Sequence, residues 1–136
     1  MYLRYLLYLS LLFPCIISAN FSFESPEILD AEQAFVFTGL VDDKKIMVTW
    51  NIAPGYYIYK ESISIQSDNQ LIPFNFINKD ESELYDEFFG DSVVLLNLIT
   101  IESAESLDNF NNGMITVSYQ GCAEGLYCYP KIKKIL

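Results

Sequence analysis

Apolar and polar residues alternate along several short stretches of the chain, and turn residues separate these stretches. The clearest alternation runs from residue 46 to residue 52, where Ile46, Val48, Trp50 and Ile52 occupy every second position. A period of two is typical of a strand with one buried face, so these four side chains are predicted to face a core. Similar patterns predict strands at 34–41, at 56–59 with a continuation through 63–65, and at 73–77, 93–101 and 114–120.

The segments between these stretches contain polar residues, Gly or Pro, which mark turns. Residues 79–87 are rich in acids and are predicted to form a loop. No stretch has a convincing amphipathic helical pattern, and the chain contains 10 Tyr and 10 Phe, which suit a pleated sheet. A hydrophobic fraction of 51% supports a packed core. These features predict an all-β fold, an antiparallel sandwich formed by one domain.

The first 19 residues differ in character from the rest. Arg4 precedes an apolar run at 5–17 that is short for a membrane span and fits the centre of a secretory signal. Ser18 and Ala19 supply small residues for cleavage, so we expect a signal peptide at 1–19 and a mature domain at 20–136. Two alternatives stay open, an uncleaved membrane anchor and a lipid-modified Cys15. Export places the domain where a cysteine pair can form a disulfide.

Charge and composition exclude several classes of function. The formal net charge is −10 with 8 Lys and Arg in total, and removal of 1–19 takes away Arg4 and leaves −11. So few cations cannot form a phosphate-binding surface, and nucleic acid is not expected as a partner. The chain has no His. Catalysis by a Ser–His or Cys–His pair and a His-containing zinc site are therefore excluded.

Cys122 and Cys128 remain in the expected mature domain. In a small exported domain such a pair is commonly a structural disulfide. Yet a loop this short restricts the unfolded chain by only about 2–2.5 kcal/mol, and Gly121 and Gly125 allow another molecule to approach closely. Glu124 between the cysteines disfavours a thiolate at rest, so a site activated by a docking partner fits better than a strong nucleophile. The residues alone leave both interpretations open.

Residues 119–130 read YQGCAEGLYCYP, and this run resembles the active-site segment of the periplasmic N-terminal domain of DsbD, the thiol:disulfide interchange protein. Further blocks resemble the same family in order: 30–35 its early D-x-A-F stretch, 48–52 with 55–60 its W-x-I and GYYLYR stretch, and 86–90 its DEF[YF]G loop. Four blocks in order are far more specific than a lone cysteine pair. The resemblance covers nearly the whole mature chain.

The resemblance implies an immunoglobulin-like antiparallel β-sandwich with a redox-active pair at Cys122 and Cys128. It implies a periplasmic oxidoreductase that takes reducing equivalents from a thioredoxin-like donor and passes them to periplasmic disulfide isomerases and a cytochrome c maturation thioredoxin. The route is thiol–disulfide exchange, without a bound cofactor or metal. By analogy with the family, Cys128 forms the mixed disulfide with the partner and Cys122 resolves it.

The same comparison assigns roles around the cysteine pair. Residues 86–90, which are Asp86, Glu87, Phe88, Phe89 and Gly90, match a loop that caps the disulfide and moves aside for the correct partner. Within this loop Phe88 is expected to be the cap and Phe89 to pack in the core. Tyr57 and Tyr59 match active-site neighbours and share one strand face, although sheet packing explains them equally well. For the acids Asp86, Glu87 and Glu124 three interpretations stay open: they tune the thiols, they tune a docking surface, or they are solvated loop charges.

The sequence departs from the family where the motif ends. Lys131 stands where the family often has a second proline. The family protein continues into a membrane domain and a thioredoxin-like domain beyond the matching region, and three interpretations stay open here: a free-standing relative, a truncated product or an incomplete gene. We expect the domain to depend on a separate donor and to associate with a membrane electron-transfer protein. Two other hypotheses stay open. One is a non-enzymatic Ig-like binding module with a structural disulfide, and the other is an accessory protein anchored by residues 1–19.

Overall fold

The computed structural model describes residues 26–87, 89–110 and 113–136. Strands dominate these ranges, with one short helix α1 (Ala31–Ala34) and single 3-10 turns at Lys60–Ser62 and Leu107–Asn109. The strands are β1 (Phe35–Asp42), β2 (Lys45–Ile52), β3 (Tyr56–Tyr59), β4 (Ser64–Ser67), β5 (Gln70–Ile72), β6 (Phe74–Asp86), β7 (Gly90–Ser103), β8 (Ile115–Tyr119), β9 (Gly121–Ala123), β10 (Tyr127–Cys128) and β11 (Ile132–Ile135).

The strands form two sheets. The first sheet has seven strands in the order β1-β2-β7-β3-β9-β10, and β6 pairs with β7. The second sheet has four strands in the order β11-β8-β4-β5. Every strand pair in both sheets is antiparallel. This architecture confirms the predicted all-β, immunoglobulin-like antiparallel sandwich.

The core lies between the two sheets and is rich in aromatic side chains. Trp50 is fully buried, as predicted, and its indole makes edge contacts with the rings of Phe37 and Tyr119. Along β2 the predicted alternation is confirmed, because Ile46, Val48, Trp50 and Ile52 are all buried. Burial of these apolar side chains on both inner faces holds the sandwich together.

The predicted loop at residues 79–87 is wrong. Residues Phe74–Asp86 form one strand, β6, which pairs with β7 along its length and forms an edge of the first sheet. An edge strand with most side chains in solvent needs no alternation of apolar and polar residues. The acid-rich segment therefore lacks the period-two pattern from which a strand is predicted. Acidic side chains on an edge also oppose pairing with another chain.

The predicted continuation of β3 through residues 63–65 is also wrong. The 3-10 turn Lys60–Ser62 ends β3, and Ile65 lies in β4 of the second sheet. Ser62 fixes this turn, since its hydroxyl donates to the carbonyl of Tyr59 at 2.6 Å and accepts from the Gln120 N–H at 2.9 Å. In the part of the chain that the structure describes, no helix is long and apolar enough to cross a membrane.

Candidate functional site

Cys122 and Cys128 lie opposite each other in a small hairpin formed by β9 and β10. The antiparallel register pairs the two residues directly, and their sulfurs form a disulfide with a Cα–Cα distance of 4.0 Å. Side chains directly opposite in an antiparallel pair point to the same face, which brings the two sulfurs together. Gly125 turns the chain between the strands with φ of +66°.

The disulfide lies on the outer face of the first sheet and not in the core between the sheets. Strand β9 pairs with β3 so that Cys122 is opposite Tyr57, and alternation places Tyr59 on the same face. Cys122, Tyr57, Tyr59 and Val94 form a small buried cluster of their own, which we call the site cluster. Partly buried side chains pack against it, namely Leu84, Leu96 and Cys128.

Gly121 has a different role from the one predicted. Gly121 is buried, and a Cβ at this position would lie 2.4 Å from the ring of Phe35 and 2.7 Å from the carbonyl oxygen of Tyr57. The absence of a side chain therefore lets β9 lie close against the core and β3. The prediction that Gly121 admits another molecule is wrong, because the chain's own Phe35 occupies that space.

The two sulfurs differ in their access to solvent. Cys122 is fully buried, whereas Cys128 is half-buried. Cys128 also lines a surface groove of about 350 Å³, together with side chains from the β6–β7 hairpin and from the turn after Ala123. Glu87 and Glu124 are on the walls of this groove. Cys128 is therefore the cysteine of the pair that lines the groove.

Two tyrosine hydroxyls accompany the disulfide. The Tyr59 hydroxyl lies 3.5 Å from Cys122 Sγ and 3.9 Å from Cys128 Sγ, and it lies 3.4 Å from the Tyr57 hydroxyl. Sulfurs in a disulfide carry no hydrogen, so in these contacts the hydroxyl is the donor. A donor aimed at a buried sulfur also favours its thiolate form over the thiol. The structure thus brings Tyr57 and Tyr59 together beside the cysteines.

The predicted cap loop joins β6 to β7. Asp86 ends β6, Glu87 is exposed in the turn, and Gly90 begins β7 with φ of +71°. The predicted core position of Phe89 is wrong, because its side chain is 56% exposed and its ring packs edge-on against Tyr59 at a centroid distance of 4.7 Å. Phe88 lies outside the described residues, and its role as the cap stays a prediction.

Sequence reasoning missed the apolar wall that surrounds the disulfide. Val94 is 3% exposed, and with Leu84 and Leu96 it encloses the sulfurs and the tyrosines. Val94 and Leu96 belong to an apolar run that predicts only a strand, and Leu84 was placed in a loop. Pairing of β6 with β7 and of β7 with β3 brings these three residues to the site.

Fold and site together define an immunoglobulin-like β-sandwich domain that carries a cysteine pair on the outer face of one sheet. Residues 25–136 match the family described as thiol:disulfide interchange protein DsbD, N-terminal. The chain belongs to this family of DsbD N-terminal domains.

Named relatives agree with this family. The chain is 32% identical over 127 residues to the thiol:disulfide interchange protein DsbD of Haemophilus ducreyi, a match that covers 93% of this chain and 22% of the relative. It is 35% identical over 112 residues to DsbD of Actinobacillus pleuropneumoniae, covering 81% of this chain and 18% of the relative. The chain thus spans about a fifth of the length of these curated relatives.

Two solved structures have the same fold. The N-terminal domain of Neisseria meningitidis DsbD in the reduced form matches with a TM-score of 0.65 and 31% identity, covering 80% of this chain and 87% of that one. The complex between the DsbD N-terminal and PilB N-terminal domains from Neisseria meningitidis matches with a TM-score of 0.58 and 26% identity, covering 82% and 88%.

Proposed function

We propose that this domain relays reducing equivalents in the periplasm by thiol–disulfide exchange through Cys122 and Cys128. The observation that carries the proposal is the placement of the disulfide, with Cys128 open to a groove and Cys122 buried behind it. A purely structural bridge has no need of a surface groove beside one of its cysteines. Membership of the DsbD N-terminal family supports the same chemistry.

The forward step starts from the reduced domain. Cys128 loses its proton to solvent, and its thiolate attacks one sulfur of the acceptor disulfide, whose second sulfur leaves as a thiolate. Cys122 then loses its proton to solvent, and its thiolate attacks Cys128 Sγ, which closes the domain disulfide and releases the first acceptor sulfur as a thiolate. Two electrons pass to the acceptor, and its two thiolates take up protons from solvent.

The return step regenerates the dithiol. A donor thiolate attacks Cys128 Sγ through the groove, and Cys122 leaves as a thiolate. The second donor thiolate then resolves the mixed disulfide, so the donor is oxidised and Cys128 is reduced. Tyr59 is within reach of both sulfurs and stabilises the leaving Cys122 thiolate by donating its hydroxyl hydrogen. Tyr57 supports Tyr59 through their hydroxyl contact.

Partners of this relay follow from the same proposal. The donor is a thioredoxin-like domain, and the acceptors are periplasmic disulfide isomerases and a cytochrome c maturation thioredoxin. The complex of the Neisseria meningitidis DsbD and PilB N-terminal domains supports docking of a second domain by this family. Around Cys128 the side chains of Tyr85, Phe89, Leu126 and Tyr127 are each at least 44% exposed, and they offer apolar area for such docking.

The decisive experiment is the reduction potential of the Cys122–Cys128 couple, measured by equilibration against glutathione or dithiothreitol. A relay is expected between roughly −180 and −270 mV, where it exchanges electrons with thioredoxin-like proteins. A value well below about −300 mV is typical of a structural disulfide. That result would replace the relay with the alternative, an Ig-like binding module that contains a stable bridge.

Single-cysteine variants test the assigned order of attack. Cys122→Ser leaves the half-buried Cys128, and Cys128→Ser leaves the buried Cys122. We expect Ellman's reagent, a small aromatic disulfide, to react faster with the first variant, when each also carries Cys15→Ser. Equal rates, or a faster reaction at Cys122, would contradict the assignment of Cys128 as the sulfur that meets the partner.

A further inference from the structure

Strand β7 contains an irregularity at Asn97. Four non-glycine residues among those described have a positive φ, and three of them, Asp43, Lys44 and Asp68, lie in turns. Asn97 has φ of +57° and lies inside β7. This left-handed conformation is disfavoured for most residues, and Asn is one of the few that tolerates it. A left-handed conformation inside a strand persists only where surrounding contacts stabilise it.

The partner strand is irregular at the same level. Phe76 of β6 pairs with Ile101 and Asn78 with Thr100, so two steps along β6 correspond to one along β7. From Asn78 to Asp80, which pairs with Leu96, two steps along β6 correspond to four along β7, so β7 has one residue more than β6 over the whole irregularity. Asn97 lies in the segment of β7 that contains this excess. Unequal numbers of residues on two paired strands bend the ribbon, as in any β-bulge. The β6–β7 hairpin is therefore bent at Asn97.

Two side-chain hydrogen bonds join the strands at this bend. The Asn97 side-chain amide donates to Asp80 Oδ2 at 2.5 Å, across the two strands. The Asn78 amide donates to the carbonyl oxygen of Leu98 at 3.0 Å. Both bonds join β6 to β7 where the regular ladder is interrupted, so they replace contacts that the bulge removes.

The bend also marks a change of neighbour for β7. Residues 98–102 pair with β2, whereas residues 94 and 95 pair with β3, which carries Tyr57 and Tyr59. We call residues 80–87 and 89–96 the hairpin tip. Leu84 in the tip packs on the site cluster, Phe89 packs on Tyr59, and Lys60 next to Tyr59 donates to Glu81 at 2.8 Å. The tip thus covers the cluster that contains Cys122 and forms one wall of the groove at Cys128.

We propose that Asn97 is a positioning residue, whose left-handed conformation bends the β6–β7 hairpin and so places its tip over the Cys122–Cys128 disulfide. The side chain of Asn97 is exposed and acts through the hairpin, not by contact with a sulfur. This inference rests on the proposed exchange function, since cover over a disulfide matters only where that bond reacts.

The expected effect follows from a two-state description of the tip. The tip supplies Leu84, Tyr85 and Glu87 to the groove at Cys128, so displacement of the tip widens the approach of a small thiol, and the reduction rate rises with the displaced fraction. Val at position 97 is β-branched and opposes the left-handed conformation, which raises that fraction roughly tenfold. Gly has no such preference, so Asn97→Gly loses the amide but keeps the bend.

The test measures reduction of the oxidised full chain by dithiothreitol. Samples are quenched with an alkylating agent, and mass spectrometry gives the alkylated share of the peptide that carries Cys122 and Cys128. Asn97→Val is expected to accelerate reduction roughly tenfold, and Asn97→Gly is expected to stay close to the parent rate. If Asn97→Val does not fold, as judged by near-UV circular dichroism, Asn97→Ala provides the milder version of the same strain.

Asp68→Val is the matched control. Asp68 also has a positive φ, of +51°, and its carboxylate accepts a hydrogen bond from the Met114 N–H, but it lies in the turn after β4 in the second sheet. Its variant should leave the rate unchanged. The proposal is overturned if Asn97→Val leaves the rate unchanged, if Asp68→Val accelerates it equally, or if Asn97→Gly is as fast as Asn97→Val. The reduction potential of the parent, measured on the same samples, reports separately on the proposed relay.

Discussion

The disulfide links two measurable quantities, the free energy of unfolding and the reduction potential of the cysteine pair. Cys122 and Cys128 are separated by six positions, so the bond closes a loop of seven residues counted inclusively. The loop-closure entropy of such a ring corresponds to about 2.4 kcal/mol at 25 °C. The oxidised domain is therefore expected to be about 2.4 kcal/mol more stable to unfolding than the reduced domain.

The thermodynamic cycle converts this difference into a potential. Folding favours the disulfide by the same free energy by which the disulfide favours folding. At 30 mV for each 1.4 kcal/mol, the couple in the folded domain should have a potential about 50 mV more negative than in the unfolded chain. The two numbers must agree because they close one cycle of four states.

The assay uses a Cys15→Ser background, which leaves two of the three cysteines. Urea unfolding of the oxidised and reduced forms should give midpoints separated by about 1–2 M with similar slopes. The potential is measured without urea and again in urea that unfolds both forms. Equal midpoints, or a potential less negative in the folded domain, would refute the loop-closure reasoning and show that the native hairpin disfavours the bond.

Three further predictions concern packing and pH. Ile99→Ala should lower the free energy of unfolding in urea by about 2–5 kcal/mol because Ile99 is fully buried. Its neighbour Leu98 is 47% exposed, so Leu98→Ala should change that free energy by less than about 0.5 kcal/mol. Similar losses would contradict the assigned inner face of β7. Gly121→Ala should lower the free energy of unfolding by about 1–3 kcal/mol because the new Cβ meets the Tyr57 backbone. Gly39→Ala should lower it by less, because the atom nearest to its new Cβ, Leu136 Cδ2, ends a flexible side chain. The reverse order would refute the close approach of β9 to β3. Burial raises the pKa of Tyr119 from 10.0 to about 12, so the folded state holds the hydroxyl proton more tightly than the unfolded state. The stability that this proton contributes is complete below pH 10 and is lost as pH rises towards 12. The fall in urea midpoint over that range should be smaller in Tyr119→Phe, and an unchanged fall would exclude Tyr119 as a cause.

Much of the fold was predictable because burial on one face of a strand leaves a period of two in the sequence. Strand β2 shows this, since each of its four predicted inward side chains is buried. Strand β6 shows the limit. It is an edge strand with few buried side chains, so neither face imposes an apolar pattern and its acids resembled a loop. The turn Lys60–Ser62 was missed because the apolar alternation continues across it into the other sheet.

The site was predictable only in part. The run at residues 119–130 identified the cysteines, and period two placed Tyr57 and Tyr59 on one face, which their hydroxyl contact shows. The core assignment of Phe89 was wrong because the local sequence does not distinguish an aromatic loop residue that enters the core from one that packs on a neighbouring ring. Its contact with Tyr59 depends on the curvature of the hairpin, which no local pattern records.

The sequence by itself determined that the chain forms an antiparallel β-sandwich and that Cys122 and Cys128 are its candidate redox pair. The first conclusion depends on period-two patterns within single strands, and the second on the resemblance of four sequence blocks to the DsbD N-terminal family. Only the tertiary structure decided that the pair lies on the outer face of a sheet, that Cys122 is fully buried whereas Cys128 is half-buried, and that Asn97 has a left-handed conformation inside β7. These features depend on strand pairings between distant residues, and the register of such pairings is set by the whole fold.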